Sequence, residues 1–250
     1  PEDAALIGSL QSGDTLFQSV DGFPALVSDP WLNGRLTALH ACSDLWATGA
    51  SVTSAQAIIT VPSITETLQK ELLAQSLLGI KSVLDPQNAK LIGGHTIESR
   101  SMSPQPLTLG LQISLSVNGI LGSKDYAWSK AGLEIGDSLL ISREIGSGVL
   151  FAASMAGDSN PKEIDNLIAQ MNMSQHGLFQ QLLQIQEQNQ SSRVINACTD
   201  ITGFGLIGHL VEMIKASNFK RQNHMKPPLK VNLEIESIPS FEGAINLFKK

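Results

Sequence analysis

Hydrophobic and polar positions alternate most regularly between residues 107 and 118. Leu, Ile or Val occupies every odd position, and Thr, Gly, Gln, Ser or Asn occupies every even one. A period of two predicts a strand with one face buried against a core. The other face carries small polar groups without charge, which favours a surface that a partner chain covers.

Longer periodic stretches predict helices. Residues 30–48 begin with Asp29 as an N-cap and Pro30 in the first turn, and a later stretch places Ile64, Leu68 and Leu72 four residues apart. The predicted helices cover residues 30–48, 64–84, 161–186 (interrupted at Gly177) and 203–215, and a turn at residues 146–148 leads into another.

Short apolar runs between the helices predict further strands. They cover residues 15–20, 52–61, 89–93, 107–117, 138–142, 194–198 and 230–235. A glycine-containing stretch with scattered charges, residues 119–137, is a plausible domain boundary. The pattern therefore predicts an α+β chain with one domain over residues 1–119 and a second over 120–250.

Composition narrows the function classes. Hydrophobic residues make up 42% and charged residues 16% of the 250-residue chain, and the net charge is −6. This charge gives no general attraction for nucleic acid or an anionic membrane, and no apolar run approaches the roughly 18 residues of a membrane span. Two cysteines make no disulfide framework, so we expect a cytoplasmic protein. The chain opens at Pro1 without Met, and we expect a piece of a longer protein.

The segment with the most chemistry is residues 199–209, TDITGFGLIGH, where Asp200 follows a predicted strand and precedes three glycines. A carboxylate beside a helix N-terminus suits a metal-bound phosphate, because the carboxylate holds the cation and the helix attracts the anion. The alternative is that Asp200 caps the helix and the glycines ease packing.

Two other segments are ambiguous. Asp44 lies within an apolar helix, where a buried carboxylate needs a partner or a metal and a solvated one needs neither. Gly93 and Gly94 permit close approach of a ligand or form a turn, and His95 alone is weak evidence for a ligand. Cys42 and Cys198 are expected to be small buried residues. The sequence contains no Walker A loop, no strand-linked G-x-G-x-x-G fingerprint and no C-x-x-C pair.

Taken in order, these segments resemble selenophosphate synthetase, a member of the superfamily of aminoimidazole ribonucleotide synthetase and thiamine-phosphate kinase. The similar segments span the chain, and the run at 199–210 is the most specific. They are EDAAL at 2–6, SVDGFPALVSD at 19–29, RLTALHACSDLWATG at 35–49, GGHTIE at 93–98, IGSGVL at 145–150 and TDITGFGLIGHL at 199–210.

The resemblance implies a set of site residues and a reaction. The implied metal ligands are Asp3, Asp44 and Asp200, and the implied ATP-binding residues are Asp3, Asp21, Asp44, Gly93, Gly94, His95 and Thr96. The family converts ATP, selenide and water into selenophosphate, AMP and phosphate, with Mg²⁺ as the metal. Its catalytic Cys and Lys lie in a segment upstream of Pro1, so no catalytic residue is assigned and this piece is expected to be inactive alone.

The resemblance also implies an architecture. The first domain would be ferredoxin-like, with a βαβ core that contributes strands to a barrel across a homodimer, and the second would be an incomplete α/β domain. ATP and selenide would be the small-molecule partners, with no nucleic acid or membrane. Two alternatives stay open: another kinase of the superfamily, such as thiamine-phosphate kinase, and a non-catalytic nucleotide-binding dimerisation module.

Overall fold

The computed structural model describes residues 2–99, 110–189 and 193–248. The chain divides into two compact units. The first comprises Pro1–Ala127 with Asn172–Gln184, and the second comprises Trp128–Met171 with Ile185–Lys250. Among the described residues, no helix combines the length and the apolar character that a membrane crossing needs.

The first unit contains a five-stranded mixed sheet. Its strands are β1 (Ala5–Ser9), β2 (Thr15–Pro24), β3 (Ser51–Val61), β4 (Lys90–Glu98) and β5 (Gln112–Leu121). They lie in the order β1-β2-β5-β3-β4, in which β3 and β4 pair in parallel and the other neighbours are antiparallel. With the helices described below, this sheet confirms the predicted α+β class.

The alternation predicted for residues 107–117 is confirmed in the part that the structure describes. Leu111, Ile113, Leu115 and Val117 are all at most 2% exposed, and the residues between them are less buried. Residues 107–109 lie outside the described residues. One face of the sheet therefore belongs to the core.

Two long helices supply the rest of the core. They are α1 (Pro30–Thr48) and α2 (Glu66–Leu84). The predicted cap of α1 is confirmed, because the Asp29 side chain accepts a hydrogen bond of 2.9 Å from the backbone N–H of Leu32. The predicted apolar face of α2 is wrong in part, since Ile64 and Leu68 are 40% and 54% exposed. Its buried residues are instead Leu72, Ser76, Gly79, Ile80, Val83 and Leu84.

Glycines set the distance between α1 and α2. A Cβ at Gly79 would lie 1.9 Å from the carbonyl oxygen of Trp31, and a Cβ at Gly34 would lie 2.2 Å from that of Ser76. The two helix backbones therefore touch at this crossing. The buried positions 72, 76, 80 and 84 of α2 keep a spacing of four, and Gly34 and Gly79 permit the close crossing.

The second unit contains mainly helices. They are α3 (Ser147–Ala156), α4 (Pro161–Met171), α6 (Gly205–Asn223) and α7 (Ala244–Phe248), and α5 (His176–Gln188) begins in the first unit. The predicted turn at residues 146–148 is confirmed, because Gly146 is the N-cap of α3 with φ 106°. The predicted helix over 161–186 is broken between Met171 and His176, and Gly177 lies inside α5.

The strands predicted at 138–142, 194–198 and 230–235 are wrong. None of these segments is a strand, and in the described part of this unit strand-like pairing is limited to one bridge between Ile145 and Ser240. An isolated strand leaves its backbone groups without ladder partners. Leu139 and Leu140 are 41% and 90% exposed, so this run buries little apolar surface.

Candidate functional site

Polar side chains of β2 and α1 meet on the core side of the sheet. Ser19, Asp21 and Phe23 are spaced by two on β2 and therefore share one face, while His40 and Asp44 are spaced by four on α1 and share one side of the helix. Asp21 Oδ2 lies 3.3 Å from His40 Nε2, and the rings of Phe23 and His40 have centroids 5.4 Å apart. The Ser19 hydroxyl donates a hydrogen bond to Asp44 Oδ2.

Asp44 therefore points toward the strand, and its burial lies between the two alternatives left open by the sequence. It is half-buried, so it is neither an ordinary solvated acid nor a fully dehydrated one. The Ser19 hydroxyl stabilises the ionised carboxylate in this position. A half-buried, hydrogen-bonded carboxylate is available to a cation while its direction is fixed.

Asp3 joins Asp44 at the same end of the first unit. It precedes β1, and its neighbour Ala4 is 2% exposed, which anchors the segment. A carboxylate oxygen of Asp3 and one of Asp44 lie within 4.8 Å of each other. A depression of about 500 Å³ lies beside Asp3 and is lined by Glu2, Asp3, Ala4, Ala5, Leu6, Phe17, Gln18, Ser19 and Val20.

Asp200 lies in the second unit, half-buried, in the segment that leads to α6. The interpretation of Asp200 as the N-cap of α6 is wrong, because the N-cap residue of this helix is Phe204. Packing does not explain Gly203 or Gly205, since a Cβ at either would meet no atom within 4 Å, whereas a Cβ at Gly208 would lie 2.8 Å from the Cβ of Phe204. Capping of α6 therefore does not explain why an acid stands at position 200.

Gly93, Gly94, His95 and Thr96 do not form a loop. They lie inside β4, which extends to Glu98 and is longer than the predicted strand, and all four are exposed. Two strands, β5 and β3, separate β4 from β2. With strands spaced by about 4.8 Å, the predicted ATP-binding residues of β4 lie about 14 Å from Asp21 and its neighbours. One sheet thus carries two separate groups of predicted residues.

The two cysteines differ. Cys42 is fully buried on α1, and burial raises the pKa of its thiol to about 12, partly offset by a hydrogen bond from Gln87. The prediction of a small buried residue is confirmed for Cys42. It is wrong for Cys198, which is only half-buried.

Sequence reasoning missed Ser19 and His40, although a signal was present. The spacing of two between Ser19 and Asp21 and of four between His40 and Asp44 places each pair on one face of its element. Two polar pairs of this kind, one on each of two elements, are compatible with a contact between those elements. The sequence could not indicate that β2 lies beside α1 at this register.

Two family models match the chain, one for each part. "AIR synthase related protein, N-terminal domain" matches residues 1–120, and "AIR synthase related protein, C-terminal domain" matches residues 134–243. The chain belongs to the AIR synthase related family. Curated members of this family that are similar to it include several called selenide, water dikinase. One from Nitratidesulfovibrio vulgaris (strain DP4) is 32% identical over 250 residues, which cover 98% of this chain and 62% of that protein.

Other relatives of the same name are similar over the same extent. One from Clostridioides difficile (strain 630) is 32% identical over 247 residues, which cover 98% of this chain and 62% of that protein. One from Methanocaldococcus jannaschii is 27% identical over 252 residues, which cover 95% of this chain and 67% of that protein. This member of the family thus spans about 62% of the length of the first two relatives.

Solved structures share the fold at lower identity. "AaThiL complexed with AMPPCP and TMP" has a TM-score of 0.66 and 17% identity, and the match covers 97% of this chain and 76% of that one. "Crystal structure of HypE-HypF complex" has a TM-score of 0.64 and 20% identity, with 86% and 64% covered. These similarities show that the chain shares its fold with both proteins.

Proposed function

We propose that this chain is the ATP- and Mg²⁺-binding part of a selenide, water dikinase. The observation that carries the proposal is its similarity to proteins of that name over 98% of the chain. The reaction converts ATP, selenide and water into selenophosphate, AMP and phosphate. One phosphoryl group of ATP goes to selenium and the other to water, so catalysis consists largely of positioning the groups and stabilising their charge.

Asp3 and Asp44 are the proposed metal ligands of the first unit, and the resemblance adds Asp200 as a third. Carboxylates are the ligands that Mg²⁺ takes in phosphate sites, at about 2.1 Å. Two oxygens on one octahedral ion are then about 3–4.2 Å apart, and a separation within 4.8 Å is close to this range. The donor set therefore fits Mg²⁺. Bound there, the ion would neutralise phosphate charge beside two acids.

The charges around the site support a role for a cation. The described lining of the depression beside Asp3 contains the acids Glu2 and Asp3 and no Lys or Arg. A triphosphate would be repelled by this surface, since like charges at short distance cost free energy. A divalent ion between the carboxylates and the phosphates converts this repulsion into attraction.

We also propose that two copies of the chain pair through the face of the sheet opposite the helices. This face carries an uncharged network, in which Gln18 Nε2 donates to Asn118 Oδ1 at 3.0 Å and Asn118 Nδ2 donates to Ser54 Oγ at 3.2 Å. On the same face, Val20 and Ile58 are 67% and 50% exposed. Uncharged polar groups with exposed aliphatic side chains are suited to burial against a second copy.

Sedimentation velocity tests the homodimer. We expect Ile58→Lys to shift the chain to the monomer, because a buried Lys without a partner is costly. Leu140→Lys is the matched control, since Leu140 is 90% exposed in the second unit. Equal sedimentation of the wild type and Ile58→Lys would contradict the proposed interface.

Calorimetric titration with AMPPCP, with and without Mg²⁺, tests the nucleotide site. We expect binding that requires Mg²⁺ and that weakens by more than about tenfold in Asp44→Asn, because the variant lacks a charged ligand. Asp158→Asn is the control, as it removes the same charge from an exposed position. Binding that is independent of Mg²⁺, or unchanged in Asp44→Asn, would contradict the proposed site.

The reaction itself is tested by the nucleotide product. The protein that contains this chain should form AMP from ATP only when selenide is present. A kinase that transfers a single phosphoryl group to thiamine phosphate leaves ADP instead. Formation of ADP with thiamine phosphate would favour that alternative, and nucleotide binding without turnover of either acceptor would favour the non-catalytic module.

A further inference from the structure

His209 is a buried titratable side chain of the second unit that the proposed reaction does not use. It lies in the first turns of α6 and is 5% exposed. Its Nε2 lies 3.1 Å from the backbone nitrogen of Thr202 and 3.1 Å from the Thr202 hydroxyl. Thr202 is two residues after Asp200, so the ring contacts the segment that presents this acid.

These contacts define which ring nitrogen carries the proton. A backbone N–H can only donate, so Nε2 must be the acceptor and Nδ1 must carry the proton in the neutral ring. Nδ1 is buried, has no hydrogen-bond partner within the described residues, and lies 3.8 Å from Glu212 Oε2. A carboxylate at this distance favours an N–H over a lone pair facing it. Glu212 is held in turn by Lys130, whose Nζ is 3.3 Å away.

We propose that His209 is a positioning residue that fixes the segment carrying Asp200, with Glu212 selecting the tautomer that makes this possible. The inference rests on the proposed function, because Asp200 is the proposed metal ligand of this unit. Lys130 holds Glu212, and Glu212 faces Nδ1 of His209. Nε2 of His209 then accepts the hydrogen bond from the backbone N–H of Thr202. Without the acceptor at Nε2, the Thr202 N–H loses its partner and the segment loses a fixed direction.

The first test needs no metal. In the wild type, ¹⁵N NMR of the ring should show a protonated Nδ1 and an unprotonated Nε2. A ring with the proton on Nε2 overturns the proposal. In His209→Leu, the Thr202 amide should exchange with solvent about tenfold faster, since one buried hydrogen bond is lost. In His209→Gln the side-chain oxygen can accept from the same N–H, and exchange should stay within about threefold of the wild type.

The second test measures Mn²⁺ affinity by electron paramagnetic resonance. We expect His209→Leu to weaken binding by about tenfold or more and His209→Gln to restore most of it, as for other residues that orient a ligand. Equal affinities for both variants overturn the proposal, because a purely structural role would not distinguish them. If His209→Leu does not fold, Glu212→Gln decides, since Glu212 is half-exposed and its loss should shift the proton toward Nε2.

The two proposals can fail separately. If the wild-type chain binds no Mn²⁺, the proposed metal site falls, and the tautomer and the Thr202 exchange still decide whether His209 fixes this segment. If Mn²⁺ binds and Asp200→Asn abolishes it, but the Thr202 amide is insensitive to His209→Leu, the positioning role falls and the metal site stands.

Discussion

Gly93 and Gly94 offer a direct test of whether this glycine pair serves the fold or a ligand. Their φ angles are 158° and 157°, a region that other residues seldom adopt. A Cβ at Gly94 would lie 2.0 Å from the carbonyl oxygen of Ala57 on the neighbouring strand, and a Cβ at Gly93 would meet no atom within 4 Å. The pair thus shares one backbone conformation and differs in steric surroundings.

This steric difference determines how much each substitution should lower the free energy of unfolding. Gly93→Ala adds only the strain of its backbone conformation, about 1–3 kcal/mol. Gly94→Ala adds the same strain and an overlap with backbone atoms that no rotamer change relieves, about another 1–3 kcal/mol. We therefore expect a loss of about 2–6 kcal/mol in the free energy of unfolding for Gly94→Ala. Since β4 is an edge strand, its detachment from β3 sets the upper limit.

Urea unfolding of both variants measures these losses, and amide exchange in β3 and β4 locates them. Nucleotide titration of Gly93→Ala then tests the ligand role, because the added methyl group lies on an open surface. We expect weaker AMPPCP binding with a fold close to that of the wild type. Equal destabilisation by the two substitutions would refute the reasoning from close approach.

Three further outcomes follow from the structure. Gly79→Ala should destabilise the first unit by more than about 2 kcal/mol, since the added Cβ overlaps the backbone of α1. Gly177→Ala should stabilise the protein by about 0.5–1 kcal/mol, since Gly177 lies inside α5 with open space around it. Thermal unfolding of the two variants measures both effects. Cys42 has a pKa of about 12, so about one Cys42 thiol in 10,000 is ionised at pH 8, and we expect this residue to resist iodoacetamide. The half-buried Cys198 should react. Peptide mass mapping shows which cysteine is labelled. Burial lowers the pKa of His176, so protonation favours the unfolded chain and the free energy of unfolding should fall as the pH drops below about 6.5. As the pH is lowered, the urea midpoint of the wild type should therefore fall more steeply than that of His176→Gln.

The first unit could largely be predicted because its signals are local. Asp29 and Pro30 define where α1 begins, and the alternation from Leu111 to Val117 defines the strand and its buried face. Such signals depend on neighbouring residues alone. The crossing of α1 and α2 depends on residues far apart in the chain, and the spacing of four did not indicate that burial begins only at Leu72.

The strands of the second unit could not be predicted because a short apolar run has no period of its own. A run of four or five apolar residues fits a strand or a loop equally, and its partner decides between them. Leu139 and Leu140 are largely exposed here, so burial did not select a strand. In the site, the unusual place of Asp44 in an apolar helix made it a candidate, although the sequence did not decide which face of the helix it occupies. Its contact with Ser19 was not, since it depends on the register between β2 and α1.

The strand order has a consequence for the nucleotide site that mixed dimers can test. β2, whose Ser19 contacts Asp44, and β4, which carries His95, are separated by two strands and lie about 14 Å apart within one chain. In a symmetric dimer formed through the open face of the sheet, each chain would supply one group to each of two sites. Asp44→Asn and His95→Ala would then damage different halves of a site.

Neither variant alone should bind AMPPCP with wild-type affinity, because both sites of its dimer lack one group. After unfolding and refolding of an equal mixture, half of the dimers should be mixed, and each of these should have one intact site. We therefore expect about a quarter of the wild-type binding capacity, with wild-type affinity, from the statistics of a symmetric dimer. Calorimetry of the mixture measures this capacity. If one chain supplies both groups, every site in the mixture is damaged, and no capacity returns.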